Sequence, residues 1–232
     1  IQDTTGLGHR KRLRERLRRG GYVALQDYEL LELILFRALP RGNVKPLARN
    51  LLAQFSDLSG VLSATEARLL EVTGIGQEVI AEFRLIEAVA LNFGQSRIMH
   101  KPALANWNQM ISYCRTKIAE KNKEEFHVLF LDKKNHIIAD EMMGSGTVDH
   151  APVYPREVIK RALELSPSAL ILVHNHPSGD PTPSKGDIGM TNKLYTLAGQ
   201  FNIVIHHHLI IGRVNEVSLK NLGLLEAPAP NF

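Results

Sequence analysis

The amino-acid sequence predicts a two-domain α+β protein: a small helical bundle over residues 1–95, then an α/β domain with a mixed sheet over residues 104–226. Three observations lead there. Up to about Leu91 apolar residues recur at helical spacing, and no segment alternates as a strand does. From Asn92 the period is lost through NFGQSRIMHKPA, a stretch with Gly94 and Pro102 that reads as a linker over 92–103. Beyond it, short runs rich in β-branched and aromatic residues are interleaved with helical segments, the pattern of strands and helices packed in layers.

In chain order, residues 10–19 form a helix with Leu13 and Leu17 four apart, ended by Gly20-Gly21. Residues 27–36 follow, with Asp27 as N-cap and Leu30, Leu31, Leu33, Ile34 and Leu35 as core. Pro40-Arg41-Gly42 closes that helix, and a third over 44–55 carries Leu47, Leu51, Leu52 and Phe55 on one stripe. Another starts near Thr65; Val72-Thr73-Gly74-Ile75-Gly76 then leads into a helix reaching about Leu91. In the second domain, strands are expected at Phe126–Leu131, at His136–Met142 after the turn Lys133-Lys134-Asn135, at Ala169–Val173 and over Asn202–Ile211. A hairpin turn at Gly212–Glu216 enters Val217-Ser218-Leu219. Pro155–Leu165 is a helix with Pro at its first position. The tail Ala227-Pro228-Ala229-Pro230 reads as disordered.

With 44% hydrophobic and 22% charged residues the composition is that of a soluble globular protein. The longest apolar runs, such as Ala169–Val173, fall far short of the roughly 20 residues a membrane span needs. No signal-peptide core lies near Ile1, so the expected location is cytoplasmic, with no membrane partner. A single cysteine, Cys114, excludes an internal disulfide framework and a cysteine-rich zinc finger. The absence of an initiator methionine leaves the true N-terminus open. The net charge of +4 is local in origin: residues 1–20 hold Arg10, Lys11, Arg12, Arg14, Arg16, Arg18 and Arg19 against Asp3 and Glu15, and the rest of the chain is near neutral. Such a run reads either as a phosphate-binding arm or as a solvated helix end.

Chemistry concentrates in residues 174–187, HNHPSGDPTPSKGD. His174 and His176 end the Ala169–Val173 strand, and a spacing of two puts both imidazoles on one face with Asn175 opposite. Three prolines and Gly179 then return the chain as a stiff loop, and Asp187, at the start of a helix, is the third candidate ligand. Two histidines and one carboxylate describe an open catalytic zinc site with a water in the fourth position. Ser184 is the candidate donor to a developing oxyanion. The base must come from elsewhere: Glu124 and Glu125 stand at the head of the Phe126–Leu131 strand.

His174, His176, Ser184 and Asp187 match the JAMM (MPN+) motif of zinc metalloproteases. Tyr154-Pro155-Arg156-Glu157 and His174-Asn175-His176-Pro177-Ser178-Gly179 resemble the bacterial RadC family within it, over nearly the whole chain. The resemblance implies a JAMM/MPN-type, cytidine-deaminase-like second domain. It implies Zn2+ on His174, His176 and Asp187, Ser184 supporting the transition state, and an upstream Glu activating the water. The family spacing picks Glu124, with Glu125 second. It further implies hydrolysis of a peptide or isopeptide amide in a protein substrate that the sequence leaves unidentified. The family's historical association with DNA repair supplies the alternative, a DNA-processing or DNA-binding protein. Two departures are visible: Tyr154 stands where the family often has His, and His206-His207-His208 where it usually has Asp-His.

Other features have competing readings. His206 and His208, two apart on a strand, offer a rival metal site or a strand edge in contact with the main one. Gly74-Ile75-Gly76 resembles the hairpin of helix-hairpin-helix DNA binders, whose backbone N–H groups take a phosphate, although ordinary helix–helix turns use the same residues. Trp107 reads as core or interface and Cys114 as a small core residue. Gly144–His150 is a candidate lid or a plain connection.

Overall fold

Residues 7–98 are helical where the sequence is periodic. They are described together with the rest of 7–146 and 153–225 in a computed structural model of the chain. Helix α1 is Leu7–Gly20 and α2 is Asp27–Ala38, with a 3-10 turn at Tyr22–Ala24 between them. Then come α3 (Lys45–Phe55), α4 (Leu58–Ser63), α5 (Glu66–Leu70) and α6 (Gln77–Ile98). Each start has a local cause. The Gln26 N–H donates to the Glu29 carboxylate at 3.0 Å, so the cap of α2 is Gln26 and the expected cap, Asp27, lies one residue inside. Asp57 Oδ1 accepts the Gly60 N–H at 2.7 Å and starts α4, a helix that the weak formers LSGVLS do not announce. Thr65 caps α5. Leu13, Leu31, Leu35, Leu51, Val61, Leu69 and Phe83 form the core, while the expected core residues Leu30, Leu33 and Ile34 are only partly buried around it.

The basic run folds largely into α1. Arg10 is buried and donates to the Leu39 and Gly42 carbonyls at 2.8 and 3.0 Å. Arg16 pairs with Glu29 at 2.6 Å, and Arg18 and Arg19 both pair with Glu15. The linker expected over 92–103 begins later, because α6 continues through Ile98. Gly94 is tolerated inside it, with a Cβ there 3.1 Å from the Tyr113 ring. The chain divides into two compact units, residues 1–90 and 91–232.

The second unit is built on a five-stranded sheet in the order β2-β1-β3-β4-β5. The strands are β1 (Glu125–Leu131), β2 (Ile137–Ser145), β3 (Ala169–Asn175), β4 (Val204–Ile211) and β5 (Glu216–Ser218). All neighbours are antiparallel except β3 and β4, which the helix α9 (Lys185–Gly199) joins as a parallel crossover. Helix α7 (Trp107–Ile118) covers one face, packing Met110, Cys114 and Ile118 on Leu129, Leu131, Ile171 and Val173. Helices α8 (Pro155–Leu165) and α9 cover the other, over Phe126, Val128, Phe130, Leu170 and Leu172. Buried on both faces, β3 appears in sequence as a continuous apolar run up to His174, and Phe126–Leu131 of β1 as one broken only by His127. The part of the candidate lid beyond Gly146, and the tail Ala227–Pro230, lie outside the described residues. Among the described residues no helix is long and apolar enough to cross a membrane.

Candidate metal centre

Three elements converge on one point. The end of β3 carries His174, the turn after it His176, and the first turn of α9 carries Asp187. His174 Nε2 lies 3.0 Å from His176 Nε2, and the Asp187 oxygens lie 3.4 Å from each of these nitrogens. Among the described residues this is the group of His, Cys, Asp and Glu side chains close enough together to hold a metal ion. Tetrahedral zinc with Zn–N near 2.0–2.1 Å sets neighbouring ligand atoms about 3.3 Å apart, close to these spacings.

Proton accounting shows what the two rings present to one another. The Thr191 hydroxyl donates to the Asp187 carbonyl, so its oxygen can only accept from His208 Nδ1, 2.5 Å away. His208 Nε2 is then a bare acceptor for the His174 Nδ1–H at 2.7 Å. His176 Nδ1 faces the Asp180 carbonyl at 2.8 Å and must donate to it. Both inward Nε2 atoms therefore carry lone pairs, and they face each other and a carboxylate. Such a set repels itself until a cation or a proton enters, so the residues present fit a divalent ion. The electrostatics agree. The Asp187 hydrogen bond, against burial, raises the His176 pKa. Burial would raise the Asp187 carboxyl, but the two imidazoles and Ser184 hold it far below the ordinary carboxylate range. Burial keeps His208 neutral, its pKa well below the usual histidine value.

The loop and helix that carry these groups are pinned locally. Ser184 and Asp187 form a capping box: the Ser184 N–H donates to Asp187 Oδ2 at 2.7 Å, and the Asp187 N–H to Ser184 Oγ at 3.1 Å. Gly179 has φ +89°, and Gly212 passes so close that a Cβ there would lie 2.4 Å from the Gly179 carbonyl oxygen. The His176 N–H donates to the Ile211 carbonyl at 3.0 Å, fastening the loop to the end of β4.

The two candidate bases part company. Glu125 reaches His127 at 3.2 Å, and His127 lies 3.6 Å from the buried Asp140, which also takes Lys117 and Tyr113. Glu124 is buried, and its charge helps raise the His176 pKa. The rival site at His206 and His208 does not form. Ile205 pairs with Leu170 but His207 with Ile171, so His206 is an extra residue that breaks the two-residue alternation. His206 bonds Asn135 at 2.8 Å, His207 bonds Ser218 and packs tilted against the Trp107 ring with centroids 4.5 Å apart, and of the three His208 reaches the centre. Tyr154 is the exposed N-cap position of α8. Cys114 is buried, and burial pushes its thiol up to about 12. Sequence reasoning missed Thr191 as a partner, for an isolated Thr inside a helix carries no signal, and gave His208 no specific role.

Comparison with known proteins agrees with this architecture. Residues 104–224 match the family described as RadC-like JAB domain, and residues 5–81 the family described as UPF0758 N-terminal. A UPF0758 protein of Rhodobacter capsulatus is 56% identical over 213 residues, 92% of this chain and 100% of that one. One from Ruegeria pomeroyi is 53% identical over 217 residues, 94% of this chain and 97% of its own. Two matched segments in the same order and near full-length coverage place the chain: it belongs to the UPF0758 family, with a RadC-like JAB domain as its C-terminal part.

Proposed function

We propose that the protein is a zinc-dependent hydrolase of the JAMM type that cleaves a peptide or isopeptide amide. The observation that carries this reading is the convergence of two lone-pair Nε2 atoms and a carboxylate whose outward atoms are already committed. Zinc held by His174, His176 and Asp187 supplies a Lewis acid that polarises a carbonyl and lowers the pKa of water toward about 7. The chain's own groups do the rest. Glu124, near enough to act on His176, takes the proton of the attacking water and returns it to the leaving amine. Ser184, held by the capping box at the edge of the centre, donates to the oxyanion.

The test begins with elemental analysis of untagged protein. One zinc per native chain, absent from His174→Ala, is the expected result; no zinc after reloading ends the proposal. Peptide and isopeptide screening follows, and Glu124→Gln is expected to lower kcat by roughly 10²–10⁴. Full activity in the combined Glu124→Gln, Glu125→Gln protein would refute the assigned base. The alternative, a nucleic-acid partner for the helical unit, rests on the Gly74 turn and on Lys11, Arg12 and Arg14, since Arg10 is buried, Arg16 pairs with Glu29, and Arg18 and Arg19 pair with Glu15 on the helix surface. Titration onto duplex DNA against salt decides it, a log–log slope near zero removing that partner.

A further inference from the structure

We infer that Asn175, the residue between the two histidine ligands, is a positioning residue for Glu124: its carboxamide ties down main chain 121–125 and so aims the Glu124 carboxylate at the metal pocket. The inference rests on the hydrolase reading above and adds the device that holds its base.

Asn175 is fully buried, so its two donors and its acceptor oxygen all need partners. All three go to one stretch of main chain. Oδ1 accepts the Glu125 N–H at 2.8 Å, and Nδ2 donates to the Lys123 carbonyl at 3.1 Å and the Lys121 carbonyl at 3.4 Å. The Lys123 carbonyl directly precedes Glu124 and the Glu125 N–H directly follows it, so these bonds fix the main chain on both sides of that residue. Glu124 needs that help, for it makes no side-chain hydrogen bond of its own among the described residues. The neighbouring strand holds one side of it, the Gly146 N–H donating to the Glu124 carbonyl at 3.0 Å. The β1–β2 ladder slips beside it, with Phe126 opposite Gly144 but His127 opposite Met142. The β1–β3 ladder ends at Phe126 and His174. The Asn175 side chain takes over where that ladder stops, its bond to the Glu125 N–H lying next to the Phe126–His174 pair. The residue between the two histidines thus serves the base while its neighbours face the metal pocket.

The test uses the full chain loaded with cobalt(II) and labelled with carboxyl-13C glutamate. The Glu124 signal is identified by its loss in Glu124→Gln. Wild-type protein should show a large cobalt-induced shift at Glu124 and a smaller one at Glu125. In Asn175→Ser, cobalt should remain at one per chain while the Glu124 shift collapses and distant glutamates keep theirs. Asn175→Asp, which keeps the acceptor for the Glu125 N–H but not the donors, should fall between. An unchanged Glu124 shift in both variants, with cobalt bound, overturns the inference. Loss of cobalt from both variants would make Asn175 a support of the ligands, which also overturns it. Failure of wild-type protein to bind cobalt is a different result: it removes the metal reading itself, and the inference with it.

Discussion

His208→Leu is the sharpest perturbation of the centre that leaves all three candidate ligands in place. His208 is fully buried, and its Nε2 accepts the His174 Nδ1 proton, which leaves the lone pair on His174 Nε2. Leucine fills similar space and accepts nothing. The His174 Nδ1–H is then a buried donor without a partner, and the ring gains by turning away or by moving its proton to Nε2, the nitrogen that would bind an ion. Loss of such an outer partner typically costs about 10- to 100-fold in metal affinity, which is about 1.4–2.8 kcal/mol. Competition with a chromophoric chelator measures the zinc Kd directly. A second readout is thermal: the stabilisation conferred by a given excess of free zinc should shrink by the same free energy. Thr191→Val breaks the next link, leaves the His208 Nδ1–H unpaired, and is expected to cost less, about 1 kcal/mol. His206→Leu, on the bulge and bonded only to Asn135, should leave the affinity unchanged. Equal zinc affinity in wild type and His208→Leu would refute the proton accounting, and with it the claim that the fold sets the tautomer of His174.

Three further outcomes follow from the geometry. Gly212→Ala drives a Cβ against the Gly179 carbonyl and the Pro181 ring, so the loop after His176 must shift; a loss of about 1–3 kcal/mol in urea unfolding and weaker zinc retention are expected, and wild-type behaviour in both would show that the loop yields freely. Asp140 is nearly inaccessible and held at about 2, because His127, Lys117 and Tyr113 together outweigh the burial that would raise it. A depressed carboxyl stabilises the fold above its unfolded value near 4 and loses that contribution as pH falls toward 2, so stability should drop by about 2 kcal/mol across that window; urea midpoints of wild type and Asp140→Asn should converge there, and parallel curves would count against it. Cys114, buried and raised to about 12, should react with a thiol reagent in urea and not in the native protein at neutral pH; fast native labelling would show that α7 opens.

Much of this protein is local and therefore legible. The helices over α2, α3 and α8 and the strands β1 and β3 announce themselves, because burial of one helix face leaves a period and burial of both strand faces leaves a near-continuous apolar run. His174, His176, Ser184 and Asp187 were legible for the same reason: a strand end, a proline loop and a helix start lie within fourteen residues, so their spacing is itself geometric information. What sequence left open depends on contacts between distant segments. Glu124 and Glu125 are equivalent as neighbours until His127 claims one and the Asn175 grip orients the other, 50 residues away. The three histidines of β4 are indistinguishable in sequence, and a bulge opposite Leu170 and Ile171 sends only His208 to the centre. The basic run reads as a phosphate arm until the carboxylates of Glu15 and Glu29 and the carbonyls of Leu39 and Gly42 take up much of its charge. Periodicity reports which face a residue shares with its neighbours in sequence. Only tertiary structure decides which partner waits on that face, because a hydrogen bond or an ion pair is fixed by distances of a few ångströms between segments whose sequence separation carries no length scale.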